Sequence, residues 1–112
     1  MKQGDIWQIV LDPAIGAEMK KTRPALIIND DALGKLPLKI IVPITDWKEQ
    51  YSNYPWMVKV TPDKQSGLLK ISAVDCFQIR SVAIERFVGR IGLVEPETIA
   101  QVQEAISKVI GA

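Results

Sequence analysis

Lys20-Lys21-Thr22-Arg23-Pro24-Ala25-Leu26-Ile27-Ile28 passes from a cluster of cations into an unbroken apolar run, with Pro24 at the junction. The apolar part is short, branched and stopped by Asn29-Asp30-Asp31, which predicts a buried strand rather than a helix. Pro24 fixes its own φ and biases Arg23 toward an extended conformation, so the guanidinium is held at the mouth of that strand. A planar, permanently charged group presented in this way suits a phosphate.

Upstream of this stretch, residues 4–11 predict a first strand, opened by Gly4-Asp5 and closed by Asp12-Pro13, and residues 13–22 form a loop around Gly16. Downstream, residues 32–35 have room for one helical turn before Pro37, and residues 38–45 predict a third strand. Pro43 inside it has no N–H for the ladder and predicts an edge or a bulge. Residues 46–55 are polar and aromatic, a loop. Residues 56–60 alternate, with Trp56, Val58 and Val60 on one face. Residues 61–67 read as a turn. Residues 68–79 supply one or two strands with Leu69, Ile71 and Ala73 on one face, and residues 87–93 a last strand bent at Gly89 or Gly92. Helical character is confined to the C-terminus. Pro96 suits a first helical position, Glu95 and Glu97 favour the positive end of the dipole, and Ile99, Val102, Ile106 and Val109 recur at helical spacing before Gly111. The chain therefore reads as mainly β, with one amphipathic helix closing a barrel or packing on a sheet.

The 112 residues are expected to form a single domain, 1–112, and the 47% apolar fraction fits an ordinary globular core. No run is long enough to span a bilayer and no signal-peptide pattern opens the chain, so a cytoplasmic, membrane-free protein is expected. One cysteine, Cys76, permits no internal disulfide and points to a reducing compartment. The absence of histidine excludes Ser-His-Asp, Cys-His and paired-histidine catalysis, and argues against zinc. Asp30-Asp31 lacks a third ligand and reads as a turn, so neither metal nor cofactor is expected. With a net charge of +1, affinity for nucleic acid would have to come from local clustering.

Taken together, Gly4-Asp5-Ile6-Trp7, Leu11-Asp12-Pro13, Gly16-Ala17-Glu18, Lys20 through Leu26, Pro43-Ile44-Thr45, Gln78-Ile79-Arg80-Ser81-Val82 and Gly89-Arg90-Ile91-Gly92 resemble, nearly end to end, the MazF/PemK family of toxin endoribonucleases, or mRNA interferases. The resemblance implies a small SH3-like (CcdB/MazF/PemK-like) β-barrel with a C-terminal α-helix, acting as a homodimer. It implies sequence-specific, metal-independent cleavage of single-stranded RNA to 2′,3′-cyclic phosphate and 5′-hydroxyl ends. It also implies a cognate MazE-like antitoxin that blocks the RNA groove with an extended, partly acidic segment. The alternatives are a CcdB-like, gyrase-targeting toxin and a catalytically inactive SH3-like binding module.

RNA carries its own nucleophile, the 2′-hydroxyl. The enzyme must activate it, stabilise charge on a five-coordinate phosphorus and protonate the leaving 5′-oxygen. Arg23 can serve the second task directly, and the family match places Arg23 and Thr45 at the two main catalytic positions. Arginine is a poor base, so the base is expected to be Glu18, the carboxylate nearest Arg23 in sequence, or a 2′-hydroxyl polarised by Arg23. Some relatives carry an acid before Gln78; here the position is Phe77, which favours the Arg23/Thr45 version of the site. Asp75, two residues earlier, is expected on the same strand face as Phe77 and is given no catalytic role. Lys20 and Lys21 read as charges that steer the RNA backbone, and Gln78 as a base or phosphate contact. Arg80, Arg86 and Arg90 either line a phosphate groove or solvate strand faces, and Arg80, inside the Gln78-Ile79-Arg80 segment, is the first choice for the groove. Trp47, Tyr51, Tyr54 and Trp56 are placed to stack on splayed bases, with a dimer interface or core as the alternative for Trp56, which alternates with Val58 and Val60. Arg23 itself has a plain alternative, a surface pair with Glu18 or Asp30. Cys76 reads as core.

Overall fold

The computed structural model describes residues 1–112. The strands are β1 (Asp5–Val10), β2 (Thr22–Ile27), β3 (Leu38–Asp46), β4 (Met57–Val60), β5 (Ser72–Asp75), β6 (Arg80–Ala83) and β7 (Phe87–Leu93), followed by the helix α1 (Pro96–Ile110). They form an antiparallel sheet in the order β4-β5-β3-β2-β1-β7, with β6 also paired to β3. The mainly-β reading and the C-terminal helix hold. The sheet is not closed into the expected barrel, because β4 and β7 do not pair. The segment between β4 and β5 covers the free edge of β7 instead. Leu93 N–H donates to Gln65 O at 3.0 Å. A side chain at Gly92 would run into the Gln65 and Ser66 backbone, and Gly67, at φ +67°, lies against Ile91 O.

β3 is the spine. Ile28 N–H donates to Ile40 O at 3.0 Å, so even-numbered residues of β3 bond toward β2 and odd-numbered ones toward the other edge. On that other edge Ile41 pairs with Arg80 of β6, whereas Thr45 pairs with Ala73 of β5. The surplus residues between β5 and β6 are looped out as a 3-10 turn, Cys76–Gln78. Pro43 faces this break, where a ladder donor would have no acceptor, so a proline sits fully buried within a central strand. The bulge expected at Pro43 is thus displaced onto the partner strand.

Alternation along the strands divides the core in two. On the helix side, Ile6, Leu26, Val42, Ile44, Val58, Val60 and Val74 pack against Val102 and Ala105 of α1. On the opposite face, Ile9, Leu11, Ala25, Ile27, Ile41 and Val82 cluster with Trp7, Met19 and Phe87. α1 starts at Pro96 and ends where Gly111 adopts φ +74°. Two strand expectations fail. Leu69 and Ile71 precede β5 and are 96% and 45% exposed, so the apolar spacing of residues 69–73 was not a buried face. β6 begins at Arg80, beyond the predicted boundary, because the 3-10 turn divides one apolar run between two strands.

Gly92 and Gly89 stand on the same strand in different surroundings, Gly89 having no atom within 4 Å of where a Cβ would lie. Gly92→Ala is expected to destabilise the fold by about 1–3 kcal/mol, the usual cost of overpacking. Gly89→Ala is expected to be neutral or to stabilise by up to roughly 1 kcal/mol. Urea denaturation of both variants checks the pair.

Candidate active site

Arg23, Ala25 and Ile27 project from the same face of β2, and Ala25 pairs with Pro43. Continued in that register, Arg23 would stand opposite Thr45. β3 has by then turned away to pair with β5, so Arg23 and Thr45 flank the point where the two strands separate. Arg23 Nε donates to Lys20 O at 3.2 Å, which orients the guanidinium while its terminal nitrogens have no partner within the protein. The ion pairs of the chain are Met1 amine–Asp5, Lys70–Asp46, Arg90–Asp5 and Lys108–Glu104. Arg23 therefore pairs with neither Glu18 nor Asp30, and the plain alternative for this residue is absent.

The loop between β1 and β2 is tied at its neck. Leu11 N–H donates to Lys21 O at 2.9 Å, Lys21 N–H donates to Asp12 Oδ1 at 2.8 Å, and Lys21 takes φ +68°. Arg86 donates to the carbonyls of Val10 (3.0 Å) and Asp12 (2.8 Å), a structural use of a cation that the sequence left open. Lys20 and Lys21 are exposed on the strand-entry side of this neck. Glu18 accepts from Ile15 N–H at 2.7 Å and borders a cleft of about 330 Å³. Met19, Pro43, Phe77, Gln78 and Arg80 also line that cleft. Glu18, Gln78 and Arg80 therefore meet across one cleft, with Arg23 and Thr45 beyond Pro43 on the same sheet face; Trp47 is not among its walls.

Gln78 joins loop and sheet. Its Oε1 accepts from Met19 N–H at 2.7 Å and its Nε2 donates to Asp75 Oδ2 at 3.0 Å, while Asp75 Oδ1 caps the 3-10 turn by accepting from Phe77 N–H at 3.1 Å. Burial raises the Asp75 carboxyl above its usual range, although the bonds to Phe77 and Gln78 oppose the shift. Because Asp75 ends β5 and Phe77 lies in the turn, the two do not share a strand face as expected. The sequence reading missed this role for Asp75; its only signal was a carboxylate three residues before Gln78, a spacing that carries meaning once a 3-10 turn is known. Burial, with Asp75 adding, pushes the Cys76 thiol up to about 12, consistent with a core residue.

The aromatic side chains form a chain of ring contacts from Trp47 through Tyr51, Tyr54 and Trp56 to Phe77, with Tyr54 and Trp56 stacked at 4.9 Å. Trp47 has the Tyr51 ring edge-on at 5.8 Å and Lys59 Nζ 5.1 Å from its own ring centroid. Phe77, 63% exposed, is the open end of this chain and stands where the cleft begins. Residues 49–53 of the expected loop form a 3-10 turn.

A model of the family described as a PemK-like, MazF-like toxin of type II toxin–antitoxin systems matches residues 2–110. Endoribonuclease MazF9 of Mycobacterium tuberculosis is 33% identical over 112 aligned residues, covering 95% of this chain and 92% of its own. MazF from Deinococcus radiodurans superposes with a TM-score of 0.79 at 22% identity, over 99% of this chain and 96% of that one. A mycobacterial endoribonuclease solved in complex with its cognate antitoxin gives 0.78 at 18% identity, over 99% and 95%. The two structural likenesses show the fold.

The Met19–Gln78–Asp75 relay has a direction, since each link needs its acceptor. Asp75→Asn replaces an acceptor by a donor, and no flip of the Asn or Gln amide removes the resulting donor–donor contact. The variant is expected to lose about 1–3 kcal/mol, the cost of one unmet buried polar group, and to speed hydrogen exchange at the Met19 amide. pH sharpens the comparison. Between 3.8 and its raised folded value, the native Asp75 holds a proton that the unfolded chain releases. Its contribution to stability therefore falls as pH rises through that window. The stability of wild type relative to Asp75→Asn should decline correspondingly, as measured by denaturation at a series of pH values.

Proposed function

The chain belongs to the PemK-like, MazF-like toxin family of type II toxin–antitoxin systems, and on that premise we propose that it is a sequence-specific endoribonuclease of single-stranded RNA. The reaction is transesterification. The 2′-oxygen bonds to the adjacent phosphorus, the bond to the 5′-oxygen breaks, and the products are a 2′,3′-cyclic phosphate and a 5′-hydroxyl. The proton lost by the 2′-hydroxyl and the proton gained by the 5′-oxygen balance, so neither metal nor cofactor is required by the chemistry.

One observation carries the assignment of the site within this chain. The Arg23 guanidinium is oriented through Nε by Lys20 O, is unpaired at its terminal nitrogens, and lies across the strand separation from Thr45. Those nitrogens can donate a parallel pair of bonds to the non-bridging oxygens, whose charge grows in the transition state. Thr45 orients the attacking hydroxyl or a phosphate oxygen. Glu18, bordering the adjoining cleft, accepts the proton from the 2′-hydroxyl. Lys20, Lys21 and Arg80 draw the RNA backbone in, and Trp47 and Gln78 stand beside its path. The chain acts as a homodimer in the cytoplasm, where its messenger RNA substrate is, and a MazE-like antitoxin occupies the RNA groove. MazF9, 33% identical over nearly the whole chain, is an endoribonuclease by name, which favours this reading over the gyrase-targeting and binding-module alternatives.

The test incubates the purified protein in EDTA with a long single-stranded RNA and with the same RNA carrying 2′-deoxy sugars at the mapped cuts. Cleavage of the first alone, ending in cyclic phosphate, is the expected result; no cleavage, or strict dependence on magnesium, defeats the reading. Arg23→Ala is expected to cost about 100- to 1000-fold in kcat, the usual loss on removing a transition-state donor, with thermal stability little changed. Thr45→Val should also cripple turnover, whereas Asp31→Asn should not.

A further inference from the structure

We propose that Lys59, seated on the Trp47 ring, binds a second phosphodiester of the RNA, further along the strand from the bond that is cut. The inference rests on the endoribonuclease reading of the Arg23–Thr45 site. Its basis is the register of the sheet. Thr45 pairs with Ala73 of β5, and Ala73 pairs with Lys59 of β4, so Lys59 stands two strand steps across from Thr45, roughly 10 Å at the ~4.8 Å interstrand spacing. Val58 and Val60 are buried toward α1, which turns Lys59 onto the opposite face, the one that carries Arg23 and Thr45.

Four of the other thirteen cations are already committed within the chain. Arg90, Lys70 and Lys108 are paired with carboxylates, and Arg86 is bonded to two carbonyls. Lys59 has no carboxylate within ion-pair distance, and its ammonium is held 5.1 Å from the centroid of the Trp47 ring. An aromatic face positions a cation without neutralising it. Lys59 therefore keeps its full charge at a defined place on the catalytic face. A lysine is a point charge that asks for no particular base or angle, which suits a backbone contact that positions the strand without reading it. With Tyr51 against it as well, Trp47 acts here as the seat of the cation.

A contact to a phosphate outside the reacting bond is made equally in the bound substrate and in the transition state, so it acts on KM. Wild type, Lys59→Met, which keeps the apolar stem, and Lys59→Arg, which keeps the charge, are compared in cleavage kinetics over a series of salt concentrations. Lys59→Met is expected to raise KM about fivefold, the weight of one solvent-exposed charge contact, and to lower the slope of log KM against log salt by about 0.7, the share of one phosphate on a single strand. Lys59→Arg should restore both. Unchanged KM and salt slope in Lys59→Met, or a loss that falls on kcat alone, overturns the proposal. Anisotropy binding of a 2′-deoxy-substituted oligonucleotide gives the same slopes without turnover. If wild type fails to cleave, the endoribonuclease reading fails by itself, while a slope lowered by Lys59→Met in that binding assay still supports the phosphate contact and an unchanged slope still overturns it.

Discussion

Everything distinctive in this molecule follows from the break in the outer edge of β3. A central strand needs its ladder satisfied on both sides, and at Pro43 there is no N–H to satisfy. The partner path answers by looping out Cys76–Gln78 at that height and resuming as β6. β3 is paired with β2 as far as Pro43, and from Ile44 onward with β5 on its other edge. Arg23 is thereby left paired with β1 on one side and with no strand on the β3 side, and Thr45 stands at the rim of the same opening.

The looped-out turn also sets the electrostatics. Asp75 is buried, and its carboxyl group is held by Phe77 N–H and Gln78 Nε2, where it orients a glutamine. That glutamine in turn holds the backbone of the loop that carries Glu18 and Lys20. Arg86 and Arg90, which the sequence alone could not tell from groove residues, are committed to the loop neck and to Asp5.

Where sequence patterns reported local physics they were legible. The apolar run after Pro24 became a buried strand, Pro96 opened the helix, and Gly111 closed it. Where a pattern depended on what lay opposite, it misled. The alternation of Leu69, Ile71 and Ala73 has the period of a strand, yet Leu69 is almost fully exposed because the chain there wraps over the edge of β7 instead of pairing with it. Of the candidate site residues, Glu18, Gln78 and Arg80 converge on one cleft from segments distant in sequence. The parts played by Asp75 and Lys59 were invisible, since each depends on a register that no local pattern encodes.

The sequence by itself determined the chemical repertoire: no histidine, a lone cysteine, and an arginine fixed by a following proline at the mouth of a strand. These are properties of residue types and of neighbours one bond away, and they hold in any fold. It determined the family as well, because motifs spread over the whole chain kept their order. Only the tertiary structure decided that the sheet stays open, that Arg23 has no counter-ion, and that Thr45 lies across from it. Those outcomes turn on which backbone edges find partners, and hydrogen-bond satisfaction across strands far apart in sequence is settled by the whole sheet at once.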